Sequence, residues 1–160
     1  MSSYINFYQR LDDKFIPIGC YSRNSVIYSI LQPIVPYGKI IPLTLSDFEE
    51  AQNDIKEDKK RYKELLVEEE NTISLIMNAA NTDIGDKLAA VQDCKDNIAD
   101  IQNAIDEYDF ANHMLQFYIT LYEEYRYIPN SDKLTNDNNH YIYAGIDACG
   151  NLESMVAETT

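Results

Sequence analysis

The sequence predicts an α+β protein: a small β-sheet head, made of an N-terminal hairpin and a C-terminal strand, carrying a long antiparallel coiled-coil helical hairpin. Three observations predict it. Strand-like alternation is confined to the two ends of the chain. Two long runs in the middle carry apolar residues at alternating spacings of three and four. Those two runs match each other residue for residue when the chain is folded back at Asn81-Thr82.

The first part, residues 1–45, carries a net charge of +2. In Tyr4-Ile5-Asn6-Phe7-Tyr8-Gln9-Arg10-Leu11, the residues Ile5, Phe7 and Leu11 share one parity and Asn6, Tyr8 and Arg10 the other, as in a half-buried strand. Asp12-Asp13-Lys14 reads as a polar turn and Phe15 to Tyr21 as the returning strand. Pro17 cannot donate to a ladder, which places this strand at an edge or gives it a bulge. Ser22 caps a short helix through Val26, Ile27, Ile30 and Leu31, ended by Pro33. Pro33, Pro36 and Pro42 keep residues 33–45 extended.

The second part, residues 46–126, is the helical hairpin and holds a net charge of −12 out of −14 for the whole chain. Ser46-Asp47-Phe48-Glu49 has the pattern of a capping box. The first seam runs through Phe48, Gln52, Ile55, Lys59, Tyr62, Leu66, Glu69, Ile73, Ile76 and Ala80. The second runs through Ile84, Leu88, Val91, Lys95, Ile98, Ile101, Ile105, Tyr108, Asn112 and Leu115. Folding back at 81–82 sets Ile76 against Leu88, Ile73 against Val91, Leu66 against Ile98, Tyr62 against Ile101, Ile55 against Tyr108 and Phe48 against Leu115. The same register sets Glu69 against Lys95 and Gln52 against Asn112, two polar layers of the kind that fix register at a cost in stability. Lys59, opposite Ile105, is left to snorkel to solvent. The second helix outruns the first by about ten residues, or roughly 15 Å. That excess, Tyr118, Ile119, Leu121, Tyr122, Tyr125 and Tyr127, is apolar enough to be inserted into the β-part.

The third part, residues 127–160, opens with a loop through Pro129 and Asn130 to Asn139. It continues with the strand His140 to Ile146, which completes the sheet, because a lone hairpin is marginal in water.

Charge and composition narrow the function. A sequence pI near 4.3 speaks against direct nucleic-acid binding, and no stretch approaches the length of a membrane span. Cys20, Cys94 and Cys149 are too few and scattered for a disulfide scaffold or a zinc site, and the N-terminus has no signal-peptide pattern. The expected setting is reducing and cytoplasmic; richness in Asn, Ile and Tyr suits an AT-rich bacterial or phage genome, which would mean a host cytoplasm or a virion. No glycine-rich phosphate loop, nucleophile elbow or metal-ligand spacing occurs, so neither cofactor nor metal nor catalytic residue is expected. His113, where the second helix enters the head, reads as structural.

The residues singled out are acidic. Asp47, Glu50, Asp54, Glu57, Arg61, Glu64 and Glu68 recur on the outward side of the first helix, six acids and one base. Asp93, Asp96 and Asp100 do so on the second. The expectation is a non-enzymatic interaction or assembly protein that presents the acidic arm and the aromatic head to a protein partner, with a basic partner favoured and a homodimer allowed. A rival reading is an acidic inhibitor that occupies the nucleic-acid-binding surface of a host protein, such as a phage-encoded antagonist of a nuclease. Its charge is sparse, one net negative per ~5 Å of arm against one per ~1.7 Å in duplex DNA. A third is a small hydrolase using carboxylates in the head, which needs two of them at a set separation.

Overall fold

The computed structural model describes residues 3–11, 14–80, 83–126 and 142–148. The expected turns at Asp12-Asp13 and Asn81-Thr82, the loop 129–139, Tyr127, His140 and Cys149 lie outside the described residues. The elements are β1 (Tyr4–Leu11), β2 (Lys14–Ser22), α1 (Val26–Leu31), β3 (Ile41–Leu43), α2 (Leu45–Asn78), α3 (Ile84–Arg126) and β4 (Ile142–Asp147). The fold is α+β, with a four-stranded antiparallel sheet and a long helical hairpin formed by α2 and α3. The chain divides into two compact units. One is built from residues up to Asp54 and from Ala111 onward; the other is Ile55–Phe110.

The sheet order is β2-β1-β4-β3. The N-terminal hairpin and the C-terminal strand therefore share one sheet, and β3 adds an edge strand within the segment expected only to be extended. Pro17 sits in edge strand β2 opposite Tyr8, and the register slips between Phe7 and Tyr8, so the edge and the bulge are both present. The loop before β3 also docks on β4: Gly38 N donates to Ile146 O at 2.8 Å and Ile146 N to Pro36 O at 3.1 Å, with Gly38 at φ 84°.

β1 differs from the half-buried strand expected of it. Ile5, Asn6, Phe7 and Tyr8 are all buried, because β1 is a central strand and both of its faces are covered. On one face Phe7 stacks on Tyr118 of α3 (ring centroids 4.7 Å apart) and contacts Phe48 of α2 and Tyr21. On the other, Tyr8, Ile40 and Tyr143 form a second cluster with Phe15. Asn6, facing this second side, donates to buried Asp147 Oδ1 at 3.0 Å, which offsets the cost of burying both groups. β4 is buried along its whole length.

Both helix caps are displaced from their expected positions, that of α1 downstream and that of α2 upstream. Ser25, not Ser22, caps α1, its Oγ accepting from Tyr28 N at 3.2 Å. Thr44 and Asp47, not Ser46 and Glu49, form the box at the start of α2. Thr44 N donates to Asp47 Oδ2 (2.8 Å) and Asp47 N to Thr44 Oγ1 (3.2 Å).

Helix α3 has 43 residues against 34 in α2. Its late turns enter the β-unit as expected, with Tyr118 and Ile119 buried. Tyr122 Oη accepts from Ile142 N at 3.0 Å and donates to Leu43 O, tying the helix to the paired ends of β3 and β4.

Candidate interaction surfaces on the helical hairpin

The hairpin pairs in the expected direction, with a register that changes along its length. Cys94 and Val91 are buried, and Lys95 is exposed. Glu69 lies near the Cys94 thiol, and no ion pair joins it to Lys95. Burial first, and then Glu69, push that thiol's pKa up. Further along, α3 turns inward at Ile105, Tyr108 and Ala111, two successive steps of three, so its seam drifts round the helix. Ala111 is buried in place of Asn112, which is exposed, and Gln52 Nε2 donates to Gln116 Oε1 at 3.1 Å. Lys59 does not snorkel alone; it pairs with Asp109. Tyr62 meets Tyr108 (centroids 5.5 Å apart), and Phe48 meets Tyr118 and Tyr122. Lys95 and Asn112 thus stand outside the layers the sequence suggested.

The acidic residues separate into two groups. Asp47 is half-buried and spends its carboxylate on the cap of α2. Glu50 and Asp54 in the first unit, and Glu57, Glu64, Glu68, Asp93, Asp96 and Asp100 in the second, are exposed. Asp96 accepts from Gln92 one turn away, at 3.0 Å. His113 is exposed on α3 rather than built into a core.

Two features of the second unit were not singled out from the sequence. The first is the closed end of the hairpin. Leu75 and Met77 in the last turns of α2 are 73% and 56% exposed, and Ile84 and Leu88 in the first turns of α3 are 73% and 61% exposed. The expected Ile76–Leu88 seam layer is therefore open on its Leu88 side. Residues 71–82 contain no charged side chain, in a chain of net charge −14, while Glu68, Glu69, Glu70, Asp83 and Asp86 flank them. The run of neutral residues was visible in the sequence; the misplaced seam concealed it by assigning Leu88 to the interior.

The second feature is a cleft of about 230 Å³ lined by Asp58, Arg61, Tyr62, Leu65 and Tyr108. Tyr108 Oη donates to Asp58 Oδ2 at 3.2 Å, and Arg61 pairs with Asp58 Oδ1. Burial, and next the Asp58 charge, push the Tyr108 pKa up to about 12, so its hydroxyl is a fixed donor at neutral pH. Among the described residues no helix is long and apolar enough to cross a membrane.

Compared with known protein families, with curated proteins and with solved structures, the chain matches none.

Proposed function

We propose that the protein is a non-catalytic binding protein that engages a protein partner through the closed end of the α2–α3 hairpin. The observation that carries this reading is the exposure of Leu75, Met77, Ile84 and Leu88 around a stretch free of charge. Four large apolar side chains exposed in the adjoining turns of the two helices supply the apolar surface that such a contact would bury. The flanking acids give the complementary surface its chemistry: an apolar centre with a basic rim.

Magnitudes divide the work between the two. Burying four such side chains contributes at most about 6–12 kcal/mol at roughly 1.5–3 kcal/mol each. Association itself costs on the order of 4–15 kcal/mol. The apolar end alone thus gives a weak contact, and the acids add encounter rate and orientation.

Quantitative affinity capture from native cell extract tests the reading. Leu75→Gln with Ile84→Gln removes apolar area from exposed positions, where substitutions scarcely affect stability. A protein held by the unaltered chain should be lost by this variant; retention of that protein would refute the reading. A second reading, the acidic inhibitor of a nucleic-acid-binding protein, draws on the exposed Glu57, Glu64, Glu68, Asp93, Asp96 and Asp100. It requires that capture fail when these become amides and fall steeply with salt.

A further inference from the structure

The Asp58 cleft has the chemistry of a cation acceptor. It presents two tyrosine rings, one from each helix, tilted 44° to each other, beside a carboxylate whose orientation is held by Tyr108 Oη. Aromatic faces and a carboxylate together attract a cation, and a planar guanidinium satisfies both by stacking and by donating in the same plane. The volume of about 230 Å³ is below the 300–1,000 Å³ of ordinary small-molecule sites and suits the end of one long side chain.

A guanidinium already borders the cleft. Arg61 is the one base among the outward acids of α2, between Glu57 and Glu64, and it lies on Asp58 three residues back. Its side chain is 75% exposed, against 25% for Asp58. Exposed pairs of this spacing hold weakly, so a competing cation can displace Arg61 cheaply. By the 100° helical spacing, Lys56, Lys60 and Lys63 fall on a different side of α2 from the cleft.

We propose that the Asp58–Tyr62–Tyr108 cleft receives the guanidinium of an arginine on a protein partner, and that Arg61 is an internal occupant which that arginine displaces. Which protein supplies the arginine rests on the protein-binding reading above. The site itself does not, because a free arginine derivative can probe it without any partner.

The test is a titration with N-acetyl-arginine amide, read from the ring-proton NMR signals of Tyr62 and Tyr108. N-acetyl-citrulline amide, of the same shape but uncharged, is the control. The arginine derivative should shift both rings and the citrulline derivative should not. Arg61→Gln removes the internal competitor and should tighten binding about two- to threefold, the size expected for an exposed pair at this spacing. Lys63→Gln makes the same change in net charge away from the cleft and should leave affinity unaltered. Asp58→Asn should abolish the shifts, with circular dichroism checking that the helices persist. Equal response to citrulline, or an Arg61→Gln protein that binds no more tightly than Lys63→Gln, would overturn the proposal even if Asp58→Asn were misfolded.

Discussion

The hydroxyl of Tyr118 lies where Gly19 has no side chain, and there it meets the hydroxyl of Tyr21 at 2.9 Å. A Cβ on Gly19 would clash with the Tyr118 hydroxyl oxygen, so a residue in edge strand β2 sets how closely α3 approaches the sheet. Gly19→Ala should therefore destabilise the protein by about 1–3 kcal/mol through overpacking. Tyr118→Phe alone forfeits the hydroxyl pair with Tyr21 and the long bond to Ile18 O, about 1 kcal/mol together. The double variant should be less destabilised than the sum by at least ~0.5 kcal/mol, because the phenyl ring leaves room for the methyl. Urea unfolding of the four proteins gives the coupling, and strict additivity would mean that the close approach is not the constraint.

Tyr122 makes a comparable tie at the other edge, through Ile142 N and Leu43 O. Tyr122→Phe should cost about 1–2 kcal/mol, since it leaves a part-buried donor and acceptor without that bridge. Amide exchange at Ile142 should quicken more than exchange at Ile146, whose N–H donates to Pro36 O. Equal effects at both amides would locate the loss elsewhere.

Register is open to a direct comparison of two charge pairs. Lys59 and Asp109 are ion-paired, and their double-mutant cycle to alanine should show coupling of about 0.2–1 kcal/mol. Glu69 and Lys95 should show coupling indistinguishable from zero. The reverse result would restore the simple heptad register and remove the drift at Tyr108.

Alkaline stability follows from buried tyrosines. Burial is the chief cause of the raised pKa at Tyr8 and Tyr108, both pushed up to about 12, and at Tyr21 and Tyr118, also raised. The folded state keeps these protons above pH 10, where an unfolded tyrosine releases them. Their contribution is thus whole below about pH 10 and is lost as pH climbs towards 12. Tyrosinate absorbance should rise in two stages, with exposed rings first and the buried group together with unfolding. A single smooth titration of all thirteen tyrosines without loss of helical signal would contradict this.

Much of this architecture is legible in the residues. The period-2 and heptad patterns locate the strands and the hairpin, and Pro17 announces an edge and a bulge in one position. The pattern cannot show that both faces of β1 are covered, since Asn6 and Tyr8 read as solvent-facing until Asp147, Ile40 and Tyr143 are brought to them. Nor does spacing alone choose between neighbours such as Cys94 and Lys95, because either continues a three–four rhythm. The register itself moves further along, where α3 turns inward at Ile105, Tyr108 and Ala111 in steps of three, and the Asp58 cleft exists because Tyr108 there meets Asp58 and Tyr62. Charge drew attention to the acids of the shaft, whereas the exposed apolar end is marked by an absence of charge over residues 71–82.

The central claim is that the closed end of the hairpin binds a protein partner. Hydrogen exchange of the protein alone and with its captured partner measures this along the whole chain. Protection should increase at residues 71–90 and stay constant in β1, β2 and β4. Protection confined to the strands, with residues 71–90 exchanging as in the free protein, would contradict it.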